Sequence, residues 1–545
     1  MSDRDRLLKM IRELVSIPSI TESDAESEPA FWIKERLGAH EYFKEHPKHL
    51  RLIETPLEGK TDKLFSLIAR VDASAPTKRT VLLIGHFDVV DTKPYGDIAE
   101  HAFNPDELAK ILGPLYGTDD VLYGRGSMDM KCGVALETDL LEQFADNRYL
   151  FDVNIIAAFV GDEENSSAGM RGVLPFIYDM KTDEGLDFLA ALNTEPGEAG
   201  KTGHVGPMVF LGTLGKLMPS FYVKGRPAHV GNCYSGFSSA LAVSHIICES
   251  EGNPSLSSPL HGISQPSWIC LDMRVMKEGY SVTIPDRAYA YFNCFTTTDT
   301  PASVMESMLS IASNALRRTN EQLLRSYEGL ACAGYDGSEF APLPVKVYTF
   351  NDIVGLAREK NGAEFDEALK NYVNELPSGD MRERGIKIVD RIADMSGEEG
   401  PYIICFFLPP WLPVRTDFTE DAGDIAVVEA ARAVENELLN RYGMKMTEVE
   451  LFAGLCDLSY AGARVSEDDI NALKDNMPGW GSIYRIPLEE MQKISMPVIN
   501  VGPSGEDPHK KTERLHLRYS IDILPDILKS VIREISARVP TGNRK

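Results

Sequence analysis

Short apolar runs alternate with helical patterns along most of the chain. Apolar residues at helical spacing predict helices, for example over 133–144 and 425–442. Between such helices lie runs that are long enough for strands buried on both faces: VLLIG (81–85), VNIIAAFV (153–160), FLAALN (188–193), YIICFFL (402–408) and PVINVG (497–502). Strands that alternate with helices are typical of an α/β layer with a mostly parallel sheet.

The middle of the chain has a different order of elements. Two predicted strands follow one another directly there, which indicates a smaller α+β unit with an antiparallel sheet. Segment 350–400 is rich in charge and has a helical pattern. The elements predicted before it are a strand at 220–224, a helix at 238–249, strands at 267–276 and 281–295, and a helix at 303–324.

Charge and cysteine usage narrow the class of protein. The 545 residues include 82 acidic and 56 basic ones, a net charge of −26, which would repel nucleic acids and anionic membranes. Charges are spread through residues 1–20, and no apolar run reaches the about eighteen residues of a membrane span. The eight cysteines are scattered without a CxxC pair. These features predict a cytoplasmic protein with reduced thiols and without nucleic-acid or membrane partners.

Side chains that can bind a metal ion follow four of the predicted strands. In open α/β sheets, ligands bind beyond the carboxyl ends of the strands, so these side chains are expected to converge although they are far apart in sequence. A further carboxylate, Asp129, lies in a glycine-rich segment before a predicted helix. The side chains after the strands are His86 and Asp88, Glu163 and Glu164, Glu195, and His509.

Taken singly, each of these residues has an ordinary structural explanation. A lone histidine is commonly structural, a Glu-Glu pair commonly lies in a solvated loop, and Asp129 alone is a suitable helix cap. Together, two histidines and three carboxylates form the mixed nitrogen and oxygen set that suits zinc. With one bridging carboxylate, they would serve two ions about 3.5–4 Å apart. Cobalt and manganese suit the same ligands.

Six motifs in a fixed order resemble a known enzyme family. The motifs are GHFDVV (85–90), GRGSMDMKCG (124–133), GDEEN (161–165), NTEPGE (193–198), GRPAHVG (225–231) and HKKTER (509–514). With these motifs the chain is similar to the co-catalytic zinc exopeptidases, which include aminoacylase, acetylornithine deacetylase, succinyl-diaminopimelate desuccinylase and glutamate carboxypeptidase. Its length and the segment YIICFFLPPWLP (402–413) most resemble the subgroup of the arginine-utilisation protein RocB.

The resemblance implies a role for each candidate residue. One zinc ion would be held by two residues, a second ion by two others, and a carboxylate beside a cis peptide bond would bridge them. A further aspartate would accept the free N–H of the first histidine and fix its tautomer. A general base and an oxyanion-stabilising histidine would complete the site. His86 and Glu195 would hold the first ion, Glu164 and His509 the second, and Asp129 would bridge them. Asp88 would be the aspartate beside His86, Glu163 the general base, and His229 the histidine that stabilises the oxyanion.

The implied activity is hydrolysis of an amide bond in an N-acyl amino acid or short peptide by two zinc ions. Deacylase, dipeptidase and carboxypeptidase all fit, and the subgroup suggests a link with arginine metabolism. Two other classes compete: a member that has lost catalysis and only binds a metal or ligand, and a two-metal hydrolase of phosphate esters. The complete set of metal ligands with Glu163 counts against the first, and the motif order against the second.

The order of the predicted elements, together with the resemblance, implies a division into domains. A catalytic domain would be interrupted by a lid of the kind that forms dimers, and both a homodimer and a monomer are compatible with the sequence. The expected divisions are 1–213 (first catalytic part), 214–350 (lid), 351–400 (helical insertion or extension) and 401–545 (second catalytic part).

Four further residues carry weaker signals. Arg274 could bind a substrate carboxylate through a bidentate contact, or it could be a surface charge on a strand. His516 is a rival to His509 for the last metal position. Asp457 lies in a segment that resembles a turn near the site in the family, or it has only a structural role, and His204 is expected to be a bystander.

Overall fold

The computed structural model shows two principal β-sheets, both covered by helices. It describes residues 2–57, 63–198, 207–260, 265–277, 279–335, 340–344, 346–452, 454 and 456–540, and His204 lies outside these ranges. None of the helices in the described ranges combines the length and the apolar character that crossing a bilayer requires.

The α-helices are concentrated on the faces of the two sheets. In the described ranges they are α1 (Asp3–Ser16), α2 (Glu28–Gly38), α3 (Glu41–Glu45), α4 (Pro105–Tyr116), α5 (Lys131–Asp146), α6 (Ala168–Thr182), α7 (Ser239–Ser250), α8 (Pro301–Cys332), α9 (Phe350–Asn361), α10 (Phe365–Glu375), α11 (Met381–Ser396), α12 (Ala422–Tyr442), α13 (Glu467–Asp475), α14 (Leu488–Ile494) and α15 (Leu524–Arg538).

The strands include several of only two or three residues at the edges of the sheets. They are β1 (Leu50–Pro56), β2 (Lys63–Val71), β3 (Arg79–His86), β4 (Val121–Tyr123), β5 (Asn154–Val160), β6 (Asp187–Asn193), β7 (Gly197–Glu198), β8 (Met208–Phe210), β9 (Gly212–Thr213), β10 (Gly215–Leu217), β11 (Pro219–Lys224), β12 (Ile269–Val275), β13 (Arg287–Thr296), β14 (Val347–Thr349), β15 (Tyr402–Phe407), β16 (Arg415–Thr416), β17 (Thr447–Val449), β18 (Val498–Asn500), β19 (Ser504–Glu506) and β20 (Arg514–His516).

The main sheet has eight strands in the order β1-β2-β5-β3-β6-β18-β8-β17. Its centre is parallel, because β3 pairs in parallel with both β5 and β6, and β18 pairs in parallel with β6. The expected α/β layer with a mostly parallel sheet is therefore confirmed. The four central strands direct their carboxyl ends to the same edge.

The continuous apolar runs of these central strands follow from burial on both faces. Val81 and Leu83 of β3 point into a core that they share with helices α1, α5, α12 and α15. The alternating residues Leu82 and Ile84 point into a second core, to which α6 and the smaller sheet contribute. Because successive side chains of a strand point to opposite faces, a strand covered on both sides is apolar at every position.

The second sheet is mainly antiparallel and confirms the smaller α+β layer. It has the order β10-β13-β11-β15-β14, and β12 pairs with β13. The assignment of YIICFFL to the second catalytic part, 401–545, is wrong: β15 pairs antiparallel with β11 and parallel with β14 in this sheet. An apolar run shows that a strand is covered on both faces, but it does not show which sheet contains the strand.

The charge-rich segment 351–400 is helical and belongs with the second sheet. It forms α9, α10 and α11, and α9 packs against α11, β14 and β15. Residues such as Ile353, Val389 and Ile392 join the apolar core of that sheet. The segment therefore supplies a covering layer for the smaller sheet.

Candidate metal centre

The predicted metal-binding residues converge at one edge of the main sheet. His86 is the last residue of β3, Glu164 lies four residues after the end of β5, and Glu195 lies two after the end of β6. His509 lies in the loop between β19 and β20, beyond β18. The loop after β18 approaches closely, since a Cβ at Gly502 would lie 2.0 Å from the carbonyl oxygen of Glu195. Glycine is therefore required at that position.

Asp129 lies between two histidines from opposite ends of the sequence. Its Oδ1 is 3.2 Å from Nε2 of His86, and its Oδ2 is 3.1 Å from Nε2 of His509. The same nitrogen of His86 lies 3.2 Å from Oε1 of Glu195, and that of His509 lies 3.1 Å from Oε1 of Glu164. The peptide bond from Asp129 to Met130 is cis. The arrangement forms two adjacent groups that share one carboxylate.

The chemistry of these groups fits a pair of divalent cations. The potential ligand atoms of His86, Glu163 and Glu195 lie within 4.8 Å of one another, as do those of Asp129, Glu164 and His509. Burial raises the pKa of Glu195 to about 8 and that of Glu163 well above its ordinary value. Buried carboxylates this close together need positive charge to remain ionised. Histidine nitrogens and carboxylate oxygens are the ligands that zinc, cobalt and manganese accept.

Asp88 holds the segment that carries both glutamates. Its Oδ1 accepts the backbone N–H of Glu163 at 3.2 Å, and its Oδ2 accepts that of Glu164 at 3.3 Å. Thr21 donates its hydroxyl to Oδ2 as well. Nδ1 of His86 lies nearer to the carbonyl oxygen of Asp88, at 3.1 Å, than to the carboxylate, at 3.4 Å. The residue therefore orients His86 through its backbone and the two glutamates through its side chain.

We expect Asp88→Asn to lower metal affinity or turnover by about 10- to 100-fold. An amide in place of the carboxylate presents an NH₂ group to one of the two backbone N–H donors, so the glutamate segment must shift. Metal content and kcat of purified protein measure the effect. Thr21→Val is the matched control, because it removes one donor to Asp88 and leaves both backbone contacts. Equal effects of the two substitutions would contradict this role of Asp88.

A buried ion pair that the sequence reasoning missed joins the two loops of the centre. Arg125 donates to Oε2 of Glu513 at 2.6 Å, and the side chains of both are only 1% exposed. Arg125 also donates to the carbonyl oxygen of His509 at 3.1 Å. Glu513 in turn accepts backbone N–H groups of Met128 and Asp129. Both residues lie inside motifs quoted above. The only signal for them in the sequence was that each motif contains a charged residue without an assigned role, and that the two charges are opposite.

Two predicted residues lie outside the metal cluster. His229 is exposed, and its Nδ1 accepts the N–H of Gly231 at 3.1 Å. Arg274 is 58% exposed on β12 and forms ion pairs with Asp272 and Glu383. A cleft lies above the cluster, between walls that include Phe210 and Phe295, and neither His229 nor Arg274 is among its described lining residues.

The two alternatives from the sequence also have defined positions. His516 lies on β20 with its Nε2 3.1 Å from Oε1 of Glu506, so its imidazole is engaged away from the cluster. Asp457 is buried near His86, and burial raises its pKa to about 7. The structure therefore groups His509, and not His516, with Asp129 and Glu164.

Comparison with known proteins identifies the family. The model of a family described as Peptidase family M20/M25/M40 matches residues 82–380, more than half of the chain. The chain belongs to peptidase family M20/M25/M40. The matched range contains His86, Asp129, Glu163, Glu164 and Glu195, whereas His509 lies outside it. Membership makes the protein a metal-dependent hydrolase of amide or peptide bonds.

Two relatives of similar length match the chain over nearly its whole length. The chain is 31% identical to the protein YqjN of Bacillus subtilis (strain 168), over 97% of this chain and 96% of YqjN. It is 26% identical to the protein RocB of the same organism, over 99% of this chain and 98% of RocB. The resemblance to a RocB-like subgroup is thus confirmed.

A solved structure of the family shares the fold. The M20 family metallo-carboxypeptidase Sso-CP2 of Sulfolobus solfataricus superposes with a TM-score of 0.52 at 14% identity, covering 98% of this chain and 100% of that structure. At this identity the likeness establishes the fold of this chain and not its substrate.

Proposed function

We propose that the protein uses two metal ions, zinc in the first place, to release an amino acid from an N-acyl amino acid or a short peptide. The observation that carries the proposal is the position of Asp129, which offers one carboxylate oxygen to each of two histidine-containing groups. Cobalt and manganese fit the same ligands. We assign His86 and Glu195 to one ion, Glu164 and His509 to the other, and Asp129 to both.

Glu163 is the proposed general base. It lines the cleft beside the metal ligands, and its Oε2 lies 3.9 Å from Nε2 of His86. Bound ions supply Lewis acidity, which lowers the pKa of water and polarises the scissile carbonyl. The carboxylate of Glu163 takes the proton of the attacking water and then delivers it to the leaving nitrogen. Burial raises the pKa of Glu163, which favours holding that proton between the two steps.

The test is hydrolysis of a panel of N-acyl amino acids and dipeptides, arginine derivatives included, by metal-loaded and chelator-stripped protein. Release of a free amino acid only by the metal-loaded protein would support the proposal. Protein with two bound metal ions that hydrolyses no member of the panel would contradict it.

We also propose that the protein is a homodimer in which His229 acts in the partner's active site, as in dimeric members of the family that the motifs resemble. Strand β12 exposes a row of apolar side chains, and among the described strands it pairs only with β13. An edge strand of this kind favours pairing with a second copy. The exposed side chains are Ile269, Leu271, Met273 and Val275.

The hydrogen bonding of His229 suits a role at an oxyanion. Because Nδ1 accepts the N–H of Gly231, the neutral imidazole carries its proton on Nε2. No acceptor for that N–H is found among the described residues, so it can donate to the oxygen of a tetrahedral intermediate.

Complementation between inactive variants tests whether His229 acts in the active site of the partner subunit. We expect Glu163→Gln and His229→Ala proteins, each nearly inactive alone, to regain about a quarter of wild-type activity when they are refolded together at equal amounts. Half of the dimers are then mixed, and each mixed dimer contains one complete site. The control is His229→Ala refolded with itself. Absence of recovery, with dimers shown by sedimentation, would contradict this role of His229.

A further inference from the structure

The cleft above the metal cluster has apolar walls from both layers. Its volume is about 570 Å³, which suits a small molecule. The main sheet contributes Phe210 of β8 and Val449 of β17, and the smaller layer contributes Phe295 of β13 and Leu412. A substrate whose scissile carbonyl lies at the cluster therefore places the rest of its atoms against apolar side chains.

Lys216 brings a positive charge into this apolar cleft. It lies on β10, where its N–H donates to the carbonyl oxygen of Leu412 at 2.8 Å and its carbonyl accepts the N–H of Leu412 at 3.1 Å. Across the sheet it pairs with Phe295 of β13. Its backbone is thus fixed between two residues of the cleft wall, and its side chain lines the cleft together with Glu163.

The ammonium group of Lys216 forms no hydrogen bond or ion pair with the described residues. Burial and the neighbouring Arg382 lower its pKa to about 8, and the attraction of Glu163 opposes this shift. The second lysine of the cleft, Lys510, differs, because its Nζ binds Asp507 at 2.8 Å. A partly buried cation among apolar walls is costly unless a ligand brings negative charge.

The carboxylates of the cleft have other roles. Those in the described lining are Asp129, Glu163, Glu164 and Glu195, which form the metal centre and its proposed base. A guanidinium or ammonium side chain of a substrate would find no acidic partner left there. A carboxylate of a substrate would find Lys216.

We propose that Lys216 determines specificity by binding a free carboxylate of the substrate, while the apolar walls bind a non-polar side chain or acyl group. The substrate class is then an N-acyl amino acid or short peptide with an apolar residue and a free carboxylate, rather than a derivative with a cationic side chain. This inference rests on the proposed amide hydrolysis.

Lys216→Met tests the inference, because it removes the charge and keeps the length of the side chain. The substrates are pairs of apolar N-acyl amino acids and dipeptides, each with its carboxamide, for example N-acetyl-leucine and N-acetyl-leucinamide. We expect KM for the carboxylates to rise about 10- to 100-fold, while the values for the carboxamides and kcat for both change little. Lys510→Met is the matched control and should leave the carboxylate preference intact.

A binding measurement separates this inference from the proposed hydrolysis. Calorimetry in the Glu163→Gln background gives dissociation constants for each carboxylate and its carboxamide, with and without Lys216→Met, so contributions of the metal ions cancel. A carboxylate preference that Lys216→Met abolishes supports the role of Lys216, even if the wild-type protein hydrolysed nothing and the proposed function failed. Three results would overturn it: no carboxylate preference in the wild-type cleft, an unchanged preference in the variant, or an equal loss of kcat for both substrate types.

Discussion

Glu163→Gln should retain both metal ions and lose about 10²- to 10⁴-fold in kcat, the usual contribution of a general acid–base group. Glutamine has nearly the same shape, so the segment held by Asp88 keeps its backbone contacts. It cannot accept a proton from water or return one to the leaving nitrogen. Steady-state kinetics together with metal analysis of the same preparation measure both effects.

The neighbouring glutamate provides the matched control for this substitution. Glu164 lies 3.1 Å from His509 within the second metal group, so Glu164→Gln should lower metal content as well as activity. The two variants then differ in metal occupancy, although their positions are adjacent. Near-native activity of Glu163→Gln would refute its role as base, and equal metal loss in both would place Glu163 among the ligands.

Arg125→Met should lower the free energy of unfolding by about 3–5 kcal/mol, the usual cost of breaking a buried ion pair by removing one partner. The substitution leaves the carboxylate of Glu513 buried without its cation, and it leaves the carbonyl oxygen of His509 without that donor. Because Glu513 also accepts the backbone N–H of Asp129, the carboxylate of Asp129 should shift. Urea denaturation of chelator-stripped protein measures the stability, and metal titration measures the site.

An exposed ion pair gives the comparison for Arg125. Arg432 forms a bidentate contact with Glu448 on the surface, and 55% of its side chain is exposed. We expect Arg432→Met to cost about 0–1 kcal/mol and to leave metal binding unchanged. If Arg125→Met were as mild as this surface substitution, the buried pair would not be what fixes the two loops.

The sequence was sufficient to predict those site residues that directly follow a buried strand. His86, Glu195 and the Glu163–Glu164 pair each follow an apolar run, and neighbouring parallel strands carry such residues to one edge. The order of the motifs also separated His509 from His516, which lies only seven positions later. For these residues, the local sequence pattern and the strand order of the sheet both predict a position at the same sheet edge.

Other features depend on contacts that no local pattern contains. The run that forms β15 looks like a central strand of either sheet, and only pairing with β11 assigns it. Arg125 and Glu513 are partners 388 positions apart, so their opposite charges alone did not indicate that the two residues pair with each other. In the proposed homodimer, the position of His229 relative to a cleft would depend on a second chain, which a single sequence does not describe.

The main sheet imposes an order on the assembly of the protein during synthesis. Strand β18, residues 498–500, lies between β6 and β8, and the His509 loop follows it. The smaller sheet, complete by residue 407, can form while this gap is still open. A nascent chain therefore carries an unfilled slot in its central sheet until residues 498–500 have left the ribosome. Because His509 follows that strand, a chain that stops short of residue 509 would lack one of the proposed metal ligands and would be inactive.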